Sequence, residues 1–510
     1  MDLSDLIARN AAFTPDKAAI VFDGRTLSYA AFDARIQQTA CALKSEFGVG
    51  RGDRVAILSL NRPDYLVLLY ACARLGAMLV PLNWRLAVAE QLFILSDSGA
   101  KLLMLEAAFA EILPELEINQ PDTKIVGLDF SPRGSTFDQL LTQARGDGRN
   151  PHVDLTCPLL IVYTSGTTGR PKGAVLRQQA LLWNGVMSQH MHGLTSGDHI
   201  LTVLPFFHVG GLNIQTTPAL HVGATVTIHS RVTPEATLAA LSRDRPTLTV
   251  LVPAIIQAVT EHPGWAGTDL SSLKAVSTGS TIVPPHLIER FAGRGVPVLQ
   301  VYGSTETCPI AVYTRFGGDL SRVGSTGLAG LCCEAAVIDG AGHELPANAP
   351  GEIAVRGPNV FTEYWRNAAA TREALHDGWY RTGDVGLRDA DGYFWVHDRK
   401  KNLIISGGEN IYPAEVERVL LEHPDVRECG VIGRPNAKWD EVPVAYVIRR
   451  PGSVVAAEEL QAHVLTQLAR FKVPRAFVFV DDLPRTALGK VQHFMLRQLD
   501  GPAPEQGEVL

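Results

Sequence analysis

Residues 163–174, Tyr-Thr-Ser-Gly-Thr-Thr-Gly-Arg-Pro-Lys-Gly-Ala, carry the densest chemistry in the chain. They hold four Ser/Thr hydroxyls (Thr164, Ser165, Thr167, Thr168), three glycines (Gly166, Gly169, Gly173) and two cations, Arg170 and Lys172. Hydroxyls and glycine N–H groups can wrap phosphate oxygens, glycine lets the backbone approach closely, and Lys172 offsets the charge. The apolar run Leu159-Leu160-Ile161-Val162 just before them reads as a buried strand, so the loop sits at a strand exit. The combination points to a site for a nucleotide triphosphate. It is not the ordinary P-loop, G-x-x-x-x-G-K-[ST]: Pro171 stands where the second glycine is required, and Gly173 replaces the hydroxyl after Lys172.

The elements that must hold this loop follow from apolar patterning. Strand-like runs at 55–58, 77–80, 102–105 and 124–127 alternate with helical segments such as 29–43, and the rhythm returns at 225–228, 248–251, 274–277 and 298–301. That alternation predicts α/β layering. From residue 335 shorter β-like runs with glycine turns (335–338, 352–355, 393–396) predict a β-rich subdomain, and beyond it 415–421 and 457–468 read as helices and 442–448 as a strand. At 510 residues the chain exceeds a single core. With 46% hydrophobic and 19% charged residues and a net charge of −7, it has an ordinary globular composition and no general attraction for nucleic acid or anionic membrane. The seven cysteines include no C-x-x-C pair and predict reduced thiols. The acidic start lacks a signal peptide's basic region, and the longest apolar stretch, 65–82, is broken by Arg74 and Gly76, predicting a buried helix and strand and not a membrane span. A cytoplasmic protein is expected, with residues 501–510 as a disordered tail; the sequence leaves a homo-oligomer open.

The loop closely resembles the signature of the adenylate-forming superfamily of acyl-CoA synthetases, beetle luciferases and peptide-synthetase adenylation domains. Further stretches resemble that family in order: Pro205-Phe206-Phe207-His208, Val301-Tyr302-Gly303-Ser304-Thr305-Glu306-Thr307, Gly351-Glu352-Ile353 and Tyr380-Arg381-Thr382-Gly383-Asp384. Asp398-Arg399-Lys400-Lys401-Asn402, Ser406-Gly407-Gly408-Glu409-Asn410 and Pro484-Arg485-Thr486-Ala487-Leu488-Gly489-Lys490 complete the series. The resemblance implies an N-terminal AMP-binding domain over 1–398, a hinge at 399–402 and a small mobile α+β domain over 403–500. It implies that a carboxylic acid and ATP give acyl-AMP, which CoA converts to acyl-CoA. Both partners of the first attack are anions, so positioning and charge screening supply most of the catalysis. The resemblance makes Lys490 the cation between carboxylate and α-phosphate, and Glu306 the holder of Mg²⁺, a hard cation suited to carboxylate oxygen. Thr305 would assist at phosphate, with Tyr302 and Gly303 at the adenine, and Asp384 and Arg399 at the ribose. His208 would be a gate between acyl and thiol tunnels, its charge near neutrality suiting a carboxylate neighbour. Lys401 would be the hinge residue, and Gly407 and Gly408 would line the path of CoA.

Two departures narrow the substrate. Beetle luciferases and plant 4-coumarate–CoA ligases carry a lysine four residues past the hinge, where this chain has Ile405. Peptide-synthetase domains carry an aspartate after the Phe of the acyl-pocket motif, absent here, which disfavours an amino acid. The candidate pocket segments 208–213, 277–281 and 301–311 contain no Lys or Arg, so a second substrate carboxylate would be left unpaired and costly to bury. Gly210-Gly211 suggests a wide pocket. An apolar medium- or long-chain fatty acid is expected, with an aryl or hydroxycinnamoyl acid as the alternative. Delivery of acyl-AMP to a carrier protein, or a non-catalytic acyl- or nucleotide-binding homologue, are the other readings.

Overall fold

The computed structural model describes residues 1–132, 136–146, 148–164, 171–280, 283–406, 409–436, 439–485 and 491–500. The chain packs as two compact units, a large one of Met1–Ala335 with Ala354–Arg381 and a smaller one of Ala336–Ile353 with Thr382–Leu510. Both mix helices and strands, as the alternation predicted.

Among the described residues the large unit holds two sheets. The nine-stranded sheet has a parallel centre running Val298–Tyr302, Ala275–Gly279, Leu248–Val250, His199–Thr202, Thr225–Ile228, Ala18–Phe22. In the seven-stranded sheet Lys124–Gly127, Leu102–Leu105, Arg54–Leu58, Met78–Pro81 and Pro158–Thr164 are parallel, and Lys172–Arg177 and Glu363–Tyr364 add antiparallel strands. One apolar cluster draws on both sheets, with Ile200, Val226 and Leu248 from the first and Val55, Leu79 and Leu160 from the second. The same cluster contains the helix Pro63–Leu75, whose residues from Asp64 to Leu75 are all buried. A helix apolar all round must be enclosed on every side. It starts on Pro63 and stops at Gly76, whose φ of 72° is the left-handed cap that glycine accepts most readily. The long apolar stretch therefore resolves into this helix and the strand Met78–Pro81, as expected. Among the described residues no helix is long and apolar enough to cross a membrane.

A buried carboxylate sets the start of three neighbouring parallel strands. Asp198, Thr247 and Lys274 each directly precede a strand. Asp198 accepts from Thr247 Oγ1 (2.8 Å), from Lys274 Nζ (3.0 Å) and from the Thr195 N–H (2.8 Å). The opposite, C-terminal ends of parallel strands are where open α/β sheets bind ligands. Tyr302 and Gly279 stand there.

In the smaller unit the strands Glu409–Ile411, Ile404–Ser406, Asp440–Arg449 and Val426–Asn436 form an antiparallel series, and Ala476–Phe479 runs parallel to Asp440–Arg449. The helices Pro413–Leu421 and Ala457–Leu465 cover it through Val416, Val419, Leu420, Leu460 and Val464. In the same unit Asp384 pairs in register with Arg399.

Burial raises the Asp198 carboxyl, but the Thr195 N–H, Lys274 and Thr247 together outweigh it and hold the group below its usual range. A depressed carboxylate contributes stability above its unfolded value of about 4 and loses it as pH falls through the lower folded value. Asp198→Asn is expected to cost about 2 kcal/mol near neutrality. Melting curves of both proteins from neutral pH into the acid range should show the deficit shrinking as pH falls.

Candidate active site

The strands on either side of the polar loop form a hairpin. Its strands Pro158–Thr164 and Lys172–Arg177 are antiparallel with Thr164 opposite Lys172, which fixes both ends of the loop. Ser165, Gly166, Thr167, Thr168 and Gly169 lie outside the described residues. The returning strand was not anticipated, although the run Ala174-Val175-Leu176 carried its signal.

The outer edge of this hairpin pairs with Glu363–Tyr364, Tyr364 opposite Ala174. Tyr364 thereby meets two of the expected site residues at once. Lys172 Nζ stands 5.4 Å from the centroid of its ring, a cation–π distance. Its hydroxyl donates to Glu306 Oε1 at 2.7 Å. Glu306 is only 7% exposed, so a donor on its carboxylate offsets a substantial desolvation cost. Sequence reasoning missed Tyr364, which lies 58 residues from Glu306 with nothing local to mark it.

Glu306 is delivered by a tight turn after the strand Val298–Tyr302: Thr305–Thr307 form one turn of 3-10 helix. A side chain at Gly303 would collide with the Pro309 carbonyl, so the turn requires glycine there. Buried amides brace it. Asn359 Nδ2 donates to the carbonyls of Thr307 (3.0 Å) and Ile310 (2.8 Å). Asn184 accepts from the Ile310 N–H (3.1 Å) and donates to the Asn213 carbonyl (2.6 Å). Tyr302, Gly303, Thr305, Glu306, Thr164 and Lys172 thus all belong to the large unit. Among the described residues no cluster of three His, Cys, Asp or Glu side chains could hold a metal by itself. One buried carboxylate suits a magnesium ion that keeps waters and binds substrate phosphates as well.

His208 begins the helical stretch Val209–Gly211. Asn61 fixes the segment before it, accepting from the Phe206 N–H (2.8 Å) and donating to the Leu204 carbonyl (2.8 Å). The expectation of a histidine charged near neutrality does not hold. Burial, with the nearby Arg85 charge, pushes its imidazole down to about 4, so the ring is neutral at physiological pH. Gly211 also differs from expectation: a Cβ there would run into the backbone oxygens of Leu204 and Pro205. It is a close-packing position, and only Gly210 leaves room.

In the smaller unit Asp384 is buried and ion-paired with Arg399 Nε at 2.5 Å. Its own N–H donates to Thr382 Oγ1 (3.0 Å), which donates to the Ile353 carbonyl (2.7 Å). Asp398 anchors the following segment. It accepts from the Arg399 N–H (2.6 Å), from Asn402 Nδ2 (3.0 Å) and from the Ala414 N–H at the start of Pro413–Leu421 (2.8 Å). Burial, reinforced by Glu417, pushes its carboxyl above the usual range. Lys401 sits exposed in the 3-10 turn Lys400–Asn402. Gly407, Gly408 and Lys490 lie outside the described residues.

A strand-end turn holding a buried carboxylate, beside a hairpin loop of hydroxyls, glycines and a cation, defines a nucleotide-dependent enzyme site. The AMP-binding enzyme family matches residues 7–365, and the AMP-binding enzyme C-terminal domain matches residues 415–490. The chain belongs to this family of adenylate-forming enzymes. It is 48% identical to an indoleacetate–CoA ligase of Aromatoleum aromaticum over 501 residues, covering 98% of each chain. It is 40% identical to a feruloyl-CoA synthase of an Amycolatopsis species, covering 95% of this chain and 96% of the relative. Its structure is similar to that of o-succinylbenzoate CoA synthetase from Bacillus subtilis in complex with the acyl-adenylate intermediate OSB-AMP. The TM-score is 0.86, the identity 32%, and 99% of each chain is covered. The same synthetase in complex with ATP and magnesium ion gives a TM-score of 0.87 at 32% identity, over 98% of this chain and 99% of that one.

Tyr364→Phe removes the donor from a buried carboxylate while keeping the ring. We expect a loss of about 1.5–3 kcal/mol in stability, the range for a hydrogen bond to a charged group. Urea midpoints of wild type and variant check it, and an unchanged midpoint would mean that Glu306 does not depend on this bond.

Proposed function

We propose that this chain is an ATP-dependent aryl-acid–CoA ligase. The acid and ATP give acyl-AMP and pyrophosphate, and CoA then gives acyl-CoA and AMP. One observation carries the adenylating step: Tyr364 holds the Glu306 carboxylate by its hydroxyl and the Lys172 ammonium by its ring face, at the root of the hydroxyl-rich loop. Charges of opposite sign held on one aromatic residue suit a magnesium–polyphosphate. Glu306 would hold Mg²⁺. Lys172 and the hydroxyls and glycines of 164–169 would take phosphate oxygens, with Thr305 assisting and Tyr302 and Gly303 beside the adenine. Asp384 accepts from the ribose hydroxyls and Arg399 orients that carboxylate. His208, its imidazole pushed down by burial, would serve as a gate by size and polarity and not by charge.

Lys490 is assigned the cation of the first half-reaction. Lys401 is the hinge about which 403–500 turns relative to 1–398, bringing Gly407 and Gly408 to the thiol's path. The choice of an aryl acid over the fatty acid first expected rests on the relatives. Indoleacetate, ferulate and o-succinylbenzoate all carry an aromatic ring.

Mass spectrometry of products from indoleacetic, hydroxycinnamic, benzoic and fatty acids with ATP and Mg²⁺, each with and without CoA, tests the proposal. Aryl-CoA formed only with CoA is expected. A fatty acid outpacing every aryl acid would overturn the substrate class, and acyl-AMP without thioester would point to a carrier-protein acceptor. Lys490→Ala should lower acyl-AMP formation by at least about a hundredfold yet leave thioester formation from supplied acyl-AMP within a few-fold. Equal loss of both would remove the division of labour between half-reactions.

A further inference from the structure

Hydrogen bonds between buried side chains join the helix after His208 to two other stretches expected to wall the acyl pocket. Asn213 Nδ2 donates to Cys308 Sγ at 3.6 Å, joining the helix after His208 to the turn that carries Glu306. Gln215 Nε2 reaches Ser277 Oγ at 3.3 Å, joining the same helix to the strand that ends at Gly279. Gln215 is 2% exposed and Ser277 wholly buried. Gln215 Oε1 and the neighbouring Thr278 Oγ1 are buried with no partner among the described residues.

The orientation of the Gln215 amide follows from proton counting along this chain of contacts. His192 Nδ1 lies 2.8 Å from the Ser188 carbonyl, which can only accept, so Nδ1 carries the proton. Burial pushes this imidazole down to about 4, which leaves Nε2 a bare acceptor. Ser277 Oγ, 2.8 Å from Nε2, must therefore give its single proton to His192. That hydroxyl then has only lone pairs for the Gln215 amide, which must present its NH₂ and not its carbonyl. Ser188 does not disturb the order, because its own hydroxyl donates to the Ile214 carbonyl at 2.6 Å. The relay ends in one buried acceptor, the Gln215 carbonyl oxygen, on the side of the amide away from Ser277. Buried polar groups in native proteins find partners.

We infer that Gln215 Oε1 is the specificity-determining acceptor for a hydrogen-bond donor on the ring of the aryl acid, an N–H or phenolic O–H, with Ser277 and His192 as its positioning residues. This rests on the aryl-acid reading above. A ring bearing an acceptor in that place would set two lone-pair oxygens against each other, so the site selects by the sign of the hydrogen bond and not by ring size. The apolar wall alone could not make that distinction.

The test compares kcat/KM for adenylation of indole-3-acetate with that of benzofuran-3-acetate, which has nearly the same shape but an oxygen in place of the ring N–H. The wild type should favour indole-3-acetate by at least about tenfold. Gln215→Met, similar in volume, should bring the ratio towards one by lowering the indole rate. Ser277→Ala, which releases the amide, should lower the ratio part of the way. A wild-type ratio near one would overturn the inference even if neither variant folded. So would a Gln215→Met protein that loses both rates equally and keeps the ratio. If the wild type adenylates fatty acids and neither aryl acid, the aryl reading itself falls and takes this inference with it. Aryl acids accepted without discrimination sink the inference alone.

Discussion

Three neighbouring parallel strands of the large unit begin at one buried carboxylate. Asp198 ties its own strand to those that follow Thr247 and Lys274, and so fixes where each strand starts. Strand length then sets where each one ends, and the ends are where Gly279 and the loop to His208 emerge. Because parallel strands are joined by long crossovers, their relative stagger is not set by tight turns. A charged group shared among three strand starts supplies that constraint. The chemistry at one edge of the sheet is positioned by an ion pair at the other.

At the chemical edge the same role falls to neutral amides. Asn61, Asn184 and Asn359 each bridge backbone groups: all three donate to carbonyls, and Asn61 and Asn184 also accept an N–H. Tyr364 goes further by using both parts of its side chain, the hydroxyl for an anion and the ring face for a cation. A single residue thereby relates a loop on one strand pair to a turn on the other sheet. The lysine and the carboxylate are tied to one aromatic side chain, each by a different kind of contact.

The local features of this architecture were legible in the sequence. Runs 102–105, 124–127 and 225–228 became strands with those bounds, because short runs rich in apolar and β-branched residues suit buried parallel strands. Residues carried by ordered motifs, such as Glu306 after its strand or Asp384 opposite Arg399, were also within reach. The braces were not. Asn61 meets Phe206 across 145 residues and Asp198 meets Lys274 across 76, and an isolated polar residue in an apolar context has no periodicity to betray its partner. The charge of His208 was misjudged for a related reason. Desolvation belongs to the packed environment, and nothing in Phe206-Phe207-His208 states how deeply the ring will be set. The orientation of the Gln215 amide depends on a histidine tautomer set by a carbonyl one helical turn away, which no local pattern encodes.

Adjacent glycines in this fold live under opposite rules. At Gly211 any side chain meets the backbone of Leu204 and Pro205, whereas at Gly210 the nearest obstacle to a Cβ is the tip of Ile214 at 4.0 Å. The helix start is thus frozen at one position and open to variation at the next. A lineage could enlarge or fill this region through residues 210 and 214 while the loop before them stays unchanged. Side-chain volume at this helix start can therefore change by a single substitution at 210 without disturbing the backbone beside it.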